Sequence, residues 1–202
     1  MGEVRNNYDG LSDPVFYGNY RCMVQGDDIL IADMSGSVPV GITYRSVSAY
    51  ESERFPVRGI LKGQYGKGLR ILEVGSGLSL FATAAAIGKH YVDVCDPIDY
   101  YQVGELLDLT SKTIQLSKSA QKLILELQLR AHIYNTSKFI THIKMTFDRA
   151  FYTGALRNDY DVILNAYATS MYDASIPSDA IYGLLRAQPR PGAEKIHEYY
   201  AT

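Results

Sequence analysis

The sequence predicts an α/β domain built on a doubly wound, mostly parallel sheet, preceded by a β-rich N-terminal stretch. Three observations predict it. After Gly68, short apolar runs of strand character alternate with segments of helical periodicity, the pattern of a sheet covered on both faces. The loop Gly75-Ser76-Gly77 separates the first of these runs from an alanine-rich segment. Before position 67, turn-forming residues punctuate short strands instead. Residues 1–66 are therefore expected to form a β-rich extension or flap, and residues 67–202 the main domain.

Within the extension, Arg21–Val24 and Ile29–Asp33 flank the turn-forming Gln25-Gly26-Asp27-Asp28 and predict a hairpin. Ser35-Gly36-Ser37 breaks the chain before a third strand over Val38–Ser46, with Pro39 suited to a strand start or edge. In the main domain, Leu69–Val74 predicts a central parallel strand, and Ser79–Ile87 a short helix that Gly88 caps. Tyr91–Cys95 is the next strand, stopped by Asp96-Pro97. Strand, tight loop, helix and strand in this order make a βαβ unit.

Helical spacing of Ile114, Ala120, Leu123, Ile124 and Leu127 predicts a mainly helical Leu106–Arg130. A third strand is expected over His142–Phe147, ending at Asp148, and a fourth over Asp161–Asn165. Ser178-Asp179 is expected to cap a helix through about Ala187, ended by Pro189-Arg190-Pro191-Gly192.

Composition narrows the class. With 202 residues and 47% hydrophobic content the chain can bury a full core, which excludes a disordered tail or a disulfide scaffold. A net charge of -2 gives no general attraction for phosphate backbones, so a nucleic-acid partner is not indicated. Cys22 and Cys95 are far apart and form no short metal-ligand spacing, and His90, His132, His142 and His197 are scattered, so no metal site is expected. The opening residues lack an apolar signal core and no run approaches a membrane span, so the expected location is cytoplasmic, with no membrane partner. Seventeen tyrosines and no tryptophan suit half-buried positions, and also a Tyr-rich surface through which a homo-oligomer could form.

The sharpest local signal is Leu72–Ser79, LEVGSGLS. Glycine at 75 and 77 lets the backbone turn sharply and approach a phosphate or cofactor group without an intervening Cβ. Asp96 closes the second strand, where a carboxylate can accept both hydroxyl hydrogens of a ribose. Glu73, beside the glycines, can receive an ammonium or orient the loop. Asp148 can meet an adenine amino group, or cap the following helix.

EVGSGLS, with Asp96 placed 23 positions after Glu73, resembles the cofactor signature of class I S-adenosylmethionine-dependent methyltransferases, whose Rossmann-like fold runs here through about Leu69–Gly192. The resemblance implies S-adenosylmethionine as cofactor. It places the methionine part on Glu73, Gly75, Ser76 and Gly77, the ribose on Asp96 with Pro97 beside it, and the adenine on Asp148. Asn165-Ala166-Tyr167-Ala168 falls where the family touches its methyl acceptor, so Asn165 and Tyr167 are the catalytic candidates; Tyr44 and Tyr50 are others from the extension. Ser79 stands where many relatives carry a third glycine, the fourth-strand loop lacks Asn-Pro-Pro-Tyr, and the expected sheet lacks the family's last strands. The acceptor, small molecule or macromolecule, is left open. A non-catalytic methyltransferase-like scaffold or interaction protein is the alternative. Aminopropyl transfer is a further one, as is nicotinamide dinucleotide binding, against which leucine at 80 counts.

Overall fold

The structure, a computed structural model, describes residues 10–35, 42–44, 66 and 68–165. Pro39, Tyr50, Tyr167, the helix expected from Ser178 and the turn at Pro189–Gly192 lie outside the described residues. The elements in order are β1 (Val15–Tyr17), β2 (Tyr20–Gln25), β3 (Asp28–Asp33), β4 (Ile42–Tyr44), β5 (Arg70–Val74), α1 (Leu80–Ile87), β6 (Tyr91–Cys95), α2 (Tyr100–Thr113), α3 (Lys118–Thr136), β7 (Ile140–Ile143), α4 (Phe147–Tyr152) and β8 (Val162–Asn165). The chain divides into two compact units, Met1–Val47 with Tyr101–Leu129, and Ser48–Tyr100 with Arg130–Thr202. No helix among the described residues is long and apolar enough to cross a membrane.

In the first unit, β1 to β4 form an antiparallel sheet in chain order. The expected hairpin pairs Gln25 with Asp28 across Gly26, whose φ of 60° explains glycine there. Along β2, Tyr20, Cys22 and Val24 are buried while Arg21 and Met23 are partly exposed, the alternation of a strand with one covered face. Burial pushes the Cys22 thiol up to about 11, so it stays protonated at neutral pH. The turn between β1 and β2 is fixed by Gln102, whose Oε1 accepts from the Asn19 N–H at 3.0 Å. A Cβ at Gly18 would come within 2.1 Å of that oxygen.

In the second unit, the strands are parallel and ordered β7-β6-β5-β8. This is the Rossmann-like, doubly wound order, with the topological reversal between β5 and β8. Both faces of the sheet are covered: Ile71, Leu72, Glu73 and Val74 of β5 are all buried. On one face Leu72, Val74, Cys95 and Ile163 pack against Phe147 and Ala150 of α4. On this face too Asp93 accepts hydrogen bonds at Oδ2 from the Tyr160 hydroxyl at 2.8 Å and from Arg157 Nε at 3.1 Å. Six of the eight residues of α1 are buried, four of them alanines, whose small side chains let the helix lie close to its neighbours.

Two boundaries differ from expectation. The helical region expected as one stretch over Leu106–Arg130 is two helices, α2 and α3. Ser117 makes the break: its Oγ accepts from the Ala120 N–H at 3.0 Å, which starts a new helix. The third strand is Ile140–Ile143 rather than His142–Phe147, because Phe147 opens α4 and buries its ring against β5 and β6.

His90, just before β6, is fully buried, and its Nδ1 accepts from the Leu69 N–H at 3.2 Å. Burial pushes its pKa down. A lowered folded pKa means that the stability His90 contributes is complete above the ordinary histidine range and is lost as pH falls through the folded value. The half-buried His142, also shifted down by burial, acts in the same direction. Across about pH 7 to about 5 these histidines are therefore expected to make the melting temperature fall relative to a protein that lacks them. In His90→Gln, which keeps an acceptor and does not titrate, that fall should be shallower; an equal fall in the two proteins would exclude His90 as a source.

Candidate functional site

The site lies where β5, β6 and β8 end. Register sets Val74 beside Cys95 on one side and Asn165 on the other, so the glycine loop leaves the sheet between Asp96 and the end of β8. The Gly75 N–H donates to the Cys95 carbonyl at 2.9 Å. Left-handed backbone follows, with φ of 65° at Gly75, 53° at Gly77 and 62° at Leu78. Glycine adopts such angles without strain. Leucine does not, and Leu78 is held there with its side chain fully buried. Ser79 then starts α1, its Oγ accepting from the Ala82 N–H at 3.1 Å.

Asp96 ties the loop to β6. Its Oδ2 accepts from the Gly77 N–H at 3.0 Å and its Oδ1 from the Ile98 N–H at 2.9 Å. The residue is 2% exposed. Burial pushes the carboxyl pKa up, while the two amides and the Tyr100 hydroxyl pull it down. His142 Nε2 lies 2.8 Å from the Asp96 carbonyl, which can only accept, so Nε2 carries the ring proton. Tyr100 packs on His142 with ring centroids 4.7 Å apart, and edge-on to Tyr134 at 4.6 Å.

Helix α3 supplies the other wall. The Tyr134 hydroxyl is hydrogen-bonded to Ser76 Oγ, and lies 3.4 Å from Ser79 Oγ and 3.5 Å from the Ser79 carbonyl. One turn earlier, an Arg130 guanidinium nitrogen donates to the Leu78 carbonyl at 3.2 Å. Burial, and next the Glu73 carboxylate, raise the Tyr134 pKa well above the ordinary tyrosine range, so the phenol is neutral.

The residues expected from sequence are thus distributed unevenly. Glu73, Gly75, Ser76, Gly77 and Asp96 come together, with Pro97 half-buried beside Asp96. Asn165 ends β8 in register with Val74, at the root of the loop. Asp148 lies in the first turn of α4, after β7, and Thr146 holds the N-cap position of that helix. Tyr167 lies outside the described residues. Arg130 and Tyr134 were not singled out from sequence. The signal available was the four-residue spacing of Arg130 and Tyr134, which puts both on one helix face.

No protein-family model matches the sequence, and no curated protein matches it. Among solved structures, the spermidine synthase from Thermotoga maritima aligns with 86% of this chain and 52% of its own, at 11% identity and a TM-score of 0.42. The SAM-dependent methyltransferase from Agrobacterium tumefaciens aligns with 74% of this chain and 40% of its own, at 14% identity and a TM-score of 0.33. The chain spans about half the length of the first of these structures and less of the second.

Proposed function

We propose that this chain binds S-adenosylmethionine at the ends of β5 and β6 and transfers its methyl group to an acceptor. The observation that carries the reading is the junction of the left-handed glycine loop with Asp96, Gly77 N–H to Oδ2 at 3.0 Å, next to the sheet's topological reversal. The donor set fits the cofactor in kind. Glu73 and Asp96 are buried carboxylates at the ends of neighbouring strands, one suited to an ammonium and the other to a vicinal diol, and the loop carries two serine hydroxyls, that of Ser76 held by Tyr134.

When bound, the cofactor supplies an already activated methyl group. The chain's own task is then to bind, orient and exclude water. In this reading Glu73 with Gly75, Ser76 and Gly77 holds the methionine portion, Asp96 with Pro97 the ribose, and Asp148 the adenine. Asn165 and Tyr167 orient the acceptor. A second reading, a scaffold that keeps the layout without turnover, is favoured by Tyr134 seated on the loop serines.

Calorimetric titration with S-adenosylmethionine, S-adenosylhomocysteine, decarboxylated S-adenosylmethionine and NAD tests the reading. Micromolar binding of the first two, with NAD silent, is expected. Preference for the decarboxylated compound would move the reaction to aminopropyl transfer, and silence toward all four would leave the scaffold.

A further inference from the structure

Several groups of the glycine loop are already bonded within the protein. Ser76 Oγ is taken by the Tyr134 hydroxyl, the Ser79 carbonyl faces the same hydroxyl, and the Leu78 carbonyl is taken by Arg130. Three of four consecutive residues are thus gripped from one face of α3. The backbone they grip includes Leu78, a left-handed non-glycine residue, whose strained angle persists only where its surroundings enforce it. A phenylalanine at 134 would fill the same space against Tyr100. The hydroxyl therefore serves the loop rather than the packing of the helix.

We propose that Arg130 and Tyr134 form a clasp that holds the glycine loop shut, and that the Tyr134 hydroxyl leaves Ser76 and Ser79 when the loop takes a ligand. The identity of that ligand rests on the S-adenosylmethionine reading; the clasp itself does not. Tyr134 is in this sense a positioning residue. It sets the loop's resting state, and so the affinity of whatever binds there.

The test has two arms. Amide hydrogen exchange of the ligand-free protein should show Gly77 and Ser79 exchanging about 3- to 10-fold faster in Tyr134→Phe, the gain from losing one hydrogen bond, with β5 and β6 amides unchanged. Ser76→Ala, on the loop side of the same bond, should also accelerate Gly77, and the double variant should gain less there than the sum of the two single changes. In the second arm, S-adenosylhomocysteine should bind Tyr134→Phe about 3- to 10-fold more tightly than the unmodified chain. Unchanged loop exchange in Tyr134→Phe would overturn the clasp. Faster exchange with equal or weaker binding would overturn its role in ligand entry. If no variant binds, the cofactor reading falls, and exchange alone decides whether the loop is clasped.

Discussion

Alanine at position 96 is expected to weaken S-adenosylhomocysteine binding about a hundredfold and to cost about 2 kcal/mol of folding stability. Both losses have one cause. The carboxylate accepts from Gly77 and Ile98, so truncation leaves two amides to find water in a buried place. It also removes the acceptor proposed for the ribose hydroxyls. Asparagine separates the effects, because it retains one carbonyl oxygen and never ionises. Burial raises the folded pKa of Asp96, so the stability this carboxyl contributes is complete below the ordinary carboxylate range and is lost as pH rises through the folded value. Relative to the unmodified protein, Asp96→Asn should therefore gain stability between about pH 4 and about pH 7. Urea denaturation at the two pH values measures that gain; an unchanged difference would contradict the buried-carboxylate account.

Leu78→Ala should cost about 3 kcal/mol. The side chain is fully buried, so its loss leaves a cavity, while alanine still carries a Cβ at a φ of 62° and relieves none of the strain. Glycine at the same position removes more volume but recovers on the order of 1 kcal/mol of backbone strain. Leu78→Gly should accordingly be no less stable than Leu78→Ala in chemical denaturation. If glycine is clearly worse, the left-handed angle carries no strain and the enforced-loop argument fails.

How far the sequence revealed this architecture depended on the range of the interactions. β6 was legible to the residue, Tyr91–Cys95, because an apolar run ends at Asp96-Pro97, and β5 to within one residue. The glycine loop and the start of α1 were legible for a related reason: left-handed turns and serine caps are local requirements with local signatures. Apolar spacing runs on through Ser117, so nothing in the periodicity marked the break between α2 and α3; a single side-chain-to-amide bond makes it. The third strand was misplaced because residues 145–147 continue an alternating pattern, whereas the Phe147 ring is claimed by the core beneath α4. The clasp was illegible because it joins Ser76 to a tyrosine 58 residues away, through a contact that exists only once α3 packs on the loop. Asp93 lies within β6 and Asp96 just past its end. Their partners tell them apart, with Arg157 and Tyr160 on Asp93 and loop amides on Asp96.

The central claim is that the glycine loop and Asp96 form one ligand site. Backbone amide shifts recorded while S-adenosylhomocysteine is added to the unmodified chain test it most directly. The account predicts saturable changes concentrated at Gly75–Ser79 and Asp96–Ile98, with Gly77 among the largest because its N–H must exchange or share its carboxylate. Saturable changes clustered elsewhere, with these amides unmoved, would contradict it.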